Sequence, residues 1–287
     1  MSSRLNTSLG LIKYASNLGQ CINGVQKTPA ILAKYIAKNK MDNLTSYNTR
    51  GNINWEFMKK KRMERIAYDN FSLSIFMKDS LKYNDKTLVL GGDHSLGIGS
   101  VEGVLSYDPN SFIVWIDAHA DINTPETSKS KNIHGMPLAY NCNFVKNNFQ
   151  WLHNYLDPSR LIYLGLRDVD DYEKEVLKNN SITNYSAKET INNLPDIMND
   201  VCQKIGDNNI HVSLDVDAFD PKVIPSTGTP AANGLQLEHF QTIMNKLDEN
   251  NKVGSVDIAE LNLKLGTEED QKLSLQNTLK IIDICKF

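Results

Sequence analysis

Short apolar runs recur along the chain, and neighbouring runs are separated by enough residues for a helix. The runs cover residues 9–12, 87–90, 112–116, 161–166, 210–216 and 253–258. Continuous apolar runs of this length are typical of strands that are buried on both faces of a parallel sheet. The pattern therefore predicts a mostly parallel sheet whose strands are connected by helices.

The segments between the runs support this interpretation. Residues 70–83, 194–205 and 237–247 carry apolar side chains at roughly helical spacing. Strands that alternate with helices predict an α/β fold of the three-layer αβα type, with a doubly wound sheet. The length leaves room for about two domains. One α/β layer structure can also take up the whole chain, and we expect a single domain over residues 1–287.

Charge and composition exclude several classes of partner. The chain has 31 Lys and Arg residues against 34 Asp and Glu residues, which gives a net charge of −3. This balance provides no global attraction to nucleic acid or to an anionic membrane, and no segment approaches the roughly 20 apolar residues of a membrane span. The four cysteines contain no CxxC pair, which argues against a thiolate zinc site or a disulfide framework. We expect a cytoplasmic protein that binds a small molecule.

Polar clusters follow five of the apolar runs. These clusters are Gly91-Gly92-Asp93-His94, Asp117-Ala118-His119-Ala120-Asp121, Arg167-Asp168-Val169-Asp170, Asp215-Val216-Asp217, and Asp257 with Glu260 three residues later. Open α/β sheets bind ligands at the carboxyl ends of their strands. We therefore expect these side chains to converge in one crevice, which is the candidate active site.

The clusters contain the donors of a metal site. Alternate residues of a strand point the same way, so Asp117 pairs with His119, and Asp215 pairs with Asp217. A single Asp or His at a strand end is more often a cap or a satisfied polar group. Several carboxylates in one crevice, however, could not all stay ionised without a compensating positive charge.

The chemistry of the donors points to manganese. Oxygen donors with two imidazoles and no thiolate suit Mn²⁺ better than structural zinc. Four carboxylates also suffice for two ions that share bridging ligands. Such a pair can lower the pKa of a bridging water towards neutrality and present it as hydroxide. The expected reaction is hydrolysis at an electrophilic carbon.

Three of the motifs resemble the metal motifs of the ureohydrolase family. The motifs are Gly91-Gly92-Asp93-His94-Ser95, Asp117-Ala118-His119-Ala120-Asp121 and Ser213-Leu214-Asp215-Val216-Asp217. Any one of them would be a weak signal, but all three in order are specific, and within the family the sequence most resembles the arginases. The resemblance implies hydrolysis of L-arginine to L-ornithine and urea by a hydroxide that bridges two Mn²⁺ ions.

The resemblance also implies a set of ligands for each ion. One ion would be bound by His94, Asp117, Asp121 and Asp215, and the other by His119, Asp117, Asp215 and Asp217. Asp117 and Asp215 would bridge the two ions. Asp121 would also accept a hydrogen bond from the bridging hydroxide and orient it towards the substrate.

Three further positions match residues that act on the substrate. His134 matches the proton-shuttling histidine of the family, and a loop histidine bonded to backbone is the less favoured alternative. Glu260 matches the acidic residue that pairs with the guanidinium group. Thr229 lies in the matching loop that lines the same pocket.

Recognition of the amino-acid end of the substrate involves two segments. By resemblance, the loop after Asp121 receives the α-carboxylate, with donors from Asn123, Ser128, Ser130 and Asn132. Asp170 and Glu173 match the residues that receive the α-ammonium group, and a solvated run of charges is the alternative reading for them. The segments depart from the arginase pattern in Ser128, which replaces a common threonine, in the added charge of Lys131, and in Asp171-Tyr172, which replaces Pro-Gly.

Two alternatives stay open on the sequence. The first is another ureohydrolase, which would act on agmatine, guanidinobutyrate or formiminoglutamate, and the Asn123-Thr124-Pro125 loop argues against it. The second is a catalytically silent regulator that binds an amino acid, but none of the six metal ligands is missing. The resemblance further implies a homo-oligomer. A trimer is plausible, although Glu238-His239 replaces an Arg-Glu pair that animal arginases use between subunits.

Overall fold

Eight parallel strands form one sheet in the computed structural model, which describes residues 7–39, 43–49, 61–146, 148–249 and 252–286. The strands are β1 (Leu9–Lys13), β2 (Leu44–Asn48), β3 (Lys86–Leu90), β4 (Phe112–Ile116), β5 (Leu161–Leu166), β6 (Thr183–Ser186), β7 (Ile210–Asp215) and β8 (Val253–Ala259). They lie in the order β2-β1-β3-β8-β7-β4-β5-β6, and every neighbouring pair is parallel. The parallel sheet predicted from the apolar runs is confirmed.

The six apolar runs correspond to the six inner strands, to within one residue at each end. The run over residues 210–216 extends one residue too far, because β7 ends at Asp215 and Val216 begins a 3-10 turn. The two edge strands were not predicted. Their sequences, LTSYN in β2 and TNYS in β6, are largely polar and at most half-buried. An edge strand lacks a neighbour on one side, so it needs no continuous apolar run.

Helices connect the strands. They are α1 (Thr28–Asn39), α2 (Arg62–Tyr83), α3 (Gly97–Tyr107), α4 (Pro137–Asn141), α5 (Asp171–Asn179), α6 (Ala187–Asn192), α7 (Leu194–Ile205), α8 (Leu237–Leu247) and α9 (Glu268–Ile284). Two of the predicted segments coincide with α7 and α8, and the third forms the later part of α2. Within the described ranges no helix combines the length and apolarity needed to cross a bilayer.

The sheet has an apolar layer on each face, which confirms the three-layer arrangement. Side chains of β4 alternate between the two layers: Val114 and Ile116 face one, and Ile113 and Trp115 face the other. The first layer packs against α1, α7, α8 and α9, and the second against α2, α3, α4 and α5. Both faces of the inner strands are therefore buried, as the absence of polar alternation in their sequences indicates.

The order of the strands creates a crevice at the carboxyl ends of the inner strands. β3 and β4 follow each other along the chain, but β8 and β7 lie between them in the sheet. In a doubly wound sheet, the chain leaves the carboxyl ends of neighbouring strands in opposite directions at such a point, and ligands bind there. The polar clusters that follow β3, β4, β7 and β8 all lie at this end of the sheet.

The packing of α2 against α3 depends on a glycine and generates a test of the core. A Cβ at Gly99 would lie 2.4 Å from the backbone oxygen of Asn70. We expect Gly99→Ala to lower the free energy of unfolding by about 1–3 kcal/mol, because the helices must move apart. Urea denaturation measures this change. Gly254→Ala is the control, since its Cβ would meet only Leu81, at 3.6 Å. Equal destabilisation of both variants would contradict the packing argument.

Candidate metal centre and substrate cavity

The six predicted metal ligands meet at the carboxyl ends of the central strands. They come from the turn after β3 (His94), the segment after β4 (Asp117, His119 and Asp121) and the end of β7 (Asp215 and Asp217). All of them except His119 are buried. Residues that are far apart in sequence are thus brought into one cluster by the parallel order of the strands.

One group of donors surrounds the ring of His94. Its Nδ1 atom lies 3.1 Å from Asp117 Oδ2, 3.2 Å from Asp121 Oδ2 and 3.3 Å from Asp215 Oδ2. The carboxylates of Asp117 and Asp121 come from the segment after β4, and that of Asp215 comes from the end of β7. These are the four residues predicted for the first ion.

A second group surrounds the ring of His119. Its Nδ1 atom lies 3.4 Å from Asp117 Oδ1 and 3.2 Å from Asp217 Oδ2. Asp117 therefore turns one oxygen towards each histidine, which is the geometry expected of a bridging ligand. The donor atoms of Asp117, His119 and Asp217 lie within 4.8 Å of one another, whereas Asp215 groups with His94. A bridging role for Asp215 stays a prediction.

Backbone hydrogen bonds hold the carboxylates in place. Asp117 Oδ1 accepts the backbone N–H of His119 at 2.7 Å, and Asp215 Oδ1 accepts that of Asp217 at 2.8 Å. Asp side chains readily bond to backbone two residues ahead, so the Asp-x-His and Asp-x-Asp spacings favour these turns. Asp121 has a positive φ of 50°. Such a conformation costs free energy in a non-glycine residue and is concentrated at functional sites.

A buried chain of hydrogen bonds fixes the orientation of His94. Ser213 Oγ donates to Asp257 Oδ1 at 2.6 Å, so its single hydrogen is used there. Ser213 Oγ also lies 3.0 Å from His94 Nε2, and because its own hydrogen is already used, it must accept a hydrogen from that nitrogen. Nε2 therefore carries a hydrogen, and Nδ1 is the ring nitrogen that can offer a lone pair to a metal ion. The Trp115 ring stacks on His94 with the ring centroids 4.1 Å apart.

Asp257 is itself held from several sides. Its Oδ2 atom accepts from Ser100 Oγ at 2.7 Å and lies 3.0 Å from His211 Nε2. His211 Nδ1 in turn lies 2.9 Å from Ser255 Oγ. These side chains are at most 1% exposed. Partners that orient a metal-ligating histidine in this way are typical of the second layer around a metal.

The site fits divalent metal ions on two observations. The buried Nδ1 atom of His94 has no hydrogen-bond partner among the described residues, although three carboxylates face it. Burial and repulsion by Asp117 raise the pKa of Asp121 to about 6. Burial and repulsion by Asp217 and Asp117 raise the pKa of Asp215 well above its ordinary value. A cation between these groups supplies both the missing partner of Nδ1 and the compensating charge.

A cavity of about 270 Å³ opens above this centre. Ten predicted residues line it: His119, Asp121, Asn123, Ser128, Ser130, His134, Asp170, Glu173, Asp215 and Thr229. Thr229 Oγ1 also donates to Asp217 Oδ2 at 2.8 Å. We call this space the substrate cavity, with the metal centre at its base.

Lys129, Gly135 and Asp168 also line the cavity, although no role in binding or catalysis was predicted for them. Asp168 Oδ2 lies 3.7 Å from Nε2 of His119. Asp168 belongs to one of the polar clusters that follow the strands, so its position was an available signal. For Lys129 no signal in the sequence distinguishes it from an ordinary surface lysine.

Asn132 does not line the cavity, and its amide oxygen accepts a hydrogen bond from Cys21 Sγ at 3.4 Å. The preceding residue, Lys131, has a positive φ of 58°. The role of Asn132 as a donor to the substrate carboxylate stays a prediction.

Asp170 and Glu173 lie at a structured helix start, where Glu173 is buried and Asp170 is exposed. The Glu173 oxygens accept the backbone N–H groups of Asp170 at 3.0 Å and Ile122 at 3.1 Å. Burial raises the pKa of Glu173 to about 7. Asp170 Oδ2 accepts a hydrogen bond from Asn123 Nδ2 at 3.1 Å. By contrast, Asp171 points into solvent and pairs with Lys174.

His134 bonds to a carboxylate as well as to backbone. Its backbone N–H donates to Gly19 O at 3.1 Å, and its Nδ1 lies 3.0 Å from Glu260 Oε1. Burial alone would lower the pKa of His134, but the hydrogen bond and charge of Glu260 raise it to about 9. The reading as a histidine held only by backbone is therefore wrong.

Glu260 lies behind His134 and not in the cavity wall. Besides His134, its carboxylate accepts from the backbone N–H of His94 at 2.8 Å and from Gln20 Nε2 at 2.5 Å. Sequence reasoning missed Gln20. The Gly19 N–H donates to Asp93 Oδ2 at 2.9 Å and thereby anchors the loop that carries Gln20.

Comparisons with known proteins agree with this geometry. The family model described as "Arginase family" matches residues 16–280. The hepatic arginase of Aquarana catesbeiana is 31% identical over 99% of this chain and 94% of its own length. Arginase-1 of Oryctolagus cuniculus is 31% identical over 100% of this chain and 94% of its own length. The crystal structure of Entamoeba histolytica arginase with L-ornithine superposes with a TM-score of 0.85 at 28% identity, covering 96% of this chain and 98% of that one.

The orientation of His94 by Ser213 generates a prediction about metal binding. We expect Ser213→Ala to weaken Mn²⁺ binding about 10–100-fold, because the ring loses the acceptor that holds its proton on Nε2. Titration of the apoprotein with Mn²⁺, followed by calorimetry, measures this loss. Ser100→Ala is the matched control, since Ser100 is equally buried and bonds to Asp257 without touching His94. The same loss in both variants would assign the effect to Asp257 and not to the histidine.

Proposed function

The chain belongs to the arginase family, and from this premise we propose that it hydrolyses L-arginine to L-ornithine and urea at the base of the substrate cavity. Family membership makes it a hydrolase. The observation that carries the proposal is Asp117, whose two oxygens face two histidines beneath a cavity lined by further carboxylates.

We assign two Mn²⁺ ions to this centre. His94, Asp117, Asp121 and Asp215 would hold one ion, and His119, Asp117 and Asp217 would hold the other, with Asp215 as the second bridge. The absence of thiolates and the excess of oxygen donors favour manganese. When bound, the ions would activate a water molecule for attack on the guanidinium carbon and offset the charge of the carboxylates.

His134 is the proposed proton donor to the departing amine. It lines the cavity, and its Nδ1 is engaged by Glu260, so Nε2 is the ring nitrogen left for the substrate. The carboxylate of Glu260 favours the protonated ring, which is the form that a general acid requires. Glu260 thus keeps the ring oriented and charged.

The proposed pairing of Glu260 with the guanidinium group requires a local exchange of partners. In this structure both oxygens of Glu260 are occupied, and Gln20 Nε2 occupies Oε2. A guanidinium group would have to displace the Gln20 amide. Such an exchange replaces a neutral donor by a charged one, and charge-assisted hydrogen bonds are the stronger ones.

The other end of the cavity suits the head group of an α-amino acid. Asp170 and Glu173 are the proposed acceptors for the α-ammonium group, and Asn123, Ser128 and Ser130 are proposed to face the α-carboxylate. The relative from Entamoeba histolytica was solved with L-ornithine, which carries the same head group. This end of the cavity favours arginine over agmatine, because agmatine lacks the carboxylate.

We also propose three features of the whole chain, which are its domain organisation, its location and its assembly. We assign residues 1–287 to a single catalytic domain, supported by one sheet that includes strands from near both ends of the described chain. A cytoplasmic location is consistent with the lack of a membrane-spanning helix in the described ranges. Assembly into a homo-oligomer, as a trimer, rests on resemblance to the arginases.

The proposal predicts a strong preference for arginine over agmatine. A hydrogen bond to a charged group contributes about 1.5–3 kcal/mol, so two lost bonds to the carboxylate correspond to roughly 10²–10⁴ in kcat/KM. Water can fill part of the vacancy, and we expect the lower half of this range. Manganese-loaded protein should be offered arginine, agmatine and formiminoglutamate separately while urea and the second product are measured. Agmatine turnover equal to that of arginine would replace this function by that of an agmatinase.

The role of His134 is separable from metal binding. His134→Ala should keep its manganese content and lose about 10²–10⁴-fold in kcat, the usual contribution of a general acid. Metal analysis and urea release are measured on the same preparation. His153→Ala is the control, because His153 is exposed and does not line the substrate cavity. Undiminished kcat in His134→Ala would remove this residue from the mechanism.

A further inference from the structure

The substrate cavity is acidic, with a single lysine at its edge. Five carboxylate side chains line it, those of Asp121, Asp168, Asp170, Glu173 and Asp215. Lys129 is the only lysine or arginine among the described residues that line it. An amino-acid head group carries one negative charge, so Lys129 stands out as the cationic side chain that is not already held by a buried carboxylate, whereas His134 is paired with Glu260.

Lys129 is loosely held. Its Nζ atom lies 3.6 Å from Asp170 Oδ1, which is longer than a hydrogen bond, and its side chain is 91% exposed. Exposed ion pairs contribute little to stability, so this pair opens at little cost. Asp170 stays in place without the lysine, because its other oxygen is held by Asn123.

The neutral donors predicted for a carboxylate keep part of their donor capacity. The Asn123 amide donates to Asp170 and accepts from Thr127, which leaves the second hydrogen of its Nδ2 atom. The Ser128 and Ser130 hydroxyls accept the backbone N–H groups of Lys131 and Asn132 and lie 3.4 Å apart, so at least one of their two hydrogens stays available. All of these donors are neutral, and Lys129 is the lysine of the cavity wall that can add a charged donor.

Lys131 is the second lysine of this loop, but it does not line the cavity. Its Nζ atom donates to the backbone oxygens of Pro125 at 2.7 Å and Glu126 at 3.3 Å. It braces the loop from outside the cavity. Lys129 is thus the lysine of this loop that is free to change partners.

We infer that Lys129 is a specificity-determining residue, which binds the carboxylate of an α-amino acid after the ammonium group of the same molecule has taken its place on Asp170. This inference deepens the proposed function and rests on it for the identity of the substrate. The head group and the Lys129–Asp170 pair carry complementary charges, so binding exchanges one ion pair for two. A ligand without a carboxylate breaks the pair and leaves Lys129 without a partner.

The test compares two ligands that differ only in the carboxylate. Binding of L-ornithine and of putrescine, its decarboxylated analogue, is measured by calorimetry on manganese-loaded protein. We expect Lys129→Gln to weaken ornithine binding about two- to fivefold, the range for an exposed ion pair, and to leave putrescine binding within about twofold. Lys129→Arg should restore most of the loss. The effect of Lys129→Gln should also shrink at high salt, because exposed charges are screened.

Two controls separate this role from a structural one. Lys174→Gln removes an exposed lysine of another ion pair, with Asp171, away from the cavity, and should change neither ligand. Lys131→Gln releases the brace of the loop and should weaken both ligands together. If Lys129→Gln weakens ornithine and putrescine equally, or leaves ornithine binding unchanged, Lys129 does not read the carboxylate and the inference is overturned.

Urea release distinguishes failure of this inference from failure of the proposed function. If wild-type protein releases no urea from arginine but binds ornithine in a Lys129-dependent way, the reaction is wrong and the inference stands. If wild-type protein releases urea and Lys129→Gln binds ornithine as tightly as wild type, the reaction stands and the inference is wrong. In the expected case, kcat/KM for arginine falls by the same factor as ornithine binding.

Discussion

The structure depends on the burial of several carboxylates around Asp117 at the edge of the sheet. Carboxylates removed from water repel one another, and burial raises the pKa of Asp121 and Asp215. The fold gives them no lysine or arginine partner among the described ion pairs. Their positions are nevertheless fixed, because parallel strands deliver them from rigid ends and backbone N–H groups hold Asp117 and Asp215. The stability of this arrangement is thus linked to the cation that it binds.

The buried side chains beneath the metal centre hold the crowded carboxylates and His94 in a defined geometry. Asp257 sits on β8 and is surrounded by two serines and His211, so its charge is satisfied without reaching the cavity. Through Ser213 it determines which nitrogen of His94 carries the proton. A neutral hydroxyl is suited to this task, because it can donate one hydrogen bond and accept another without adding charge to the cluster. The Nδ1 atom of His94 faces the carboxylates, so it is the ring nitrogen that can act as a ligand when a cation occupies the centre.

The apolar runs predicted the inner strands because these strands are buried on both faces, and the edge strands β2 and β6 were missed because they are not. The clustering of the candidate metal ligands was predictable for a related reason: residues at the carboxyl ends of parallel strands must lie at the same end of the sheet, whatever their separation in sequence. The contact between Gln20 and Glu260 has no such rule behind it, since a loop anchored by Asp93 brings together residues from opposite ends of the chain. Loop residues have no fixed period either, so the sequence could not show that the Asn132 amide bonds to Cys21.

The base and the opening of the cavity differ in how firmly their side chains are held. The proposed reaction takes place at the base, and the proposed discrimination between substrates takes place at the opening. At the base, side chains are buried and each is held by several partners, so a change of partner there is costly. At the opening, Lys129 is exposed and Asp170 is held on one side only. Charges in contact with water exchange partners at little cost, and this allows a charged head group to enter without first breaking a strong bond. The same exposure limits how much discrimination one lysine can supply. On the proposed function, selectivity for a free amino acid is therefore shared between Lys129 and the acidic side chains of Asp170 and Glu173. Glu173 is buried and held by backbone N–H groups, so it keeps its position while the exposed Lys129–Asp170 pair changes partners.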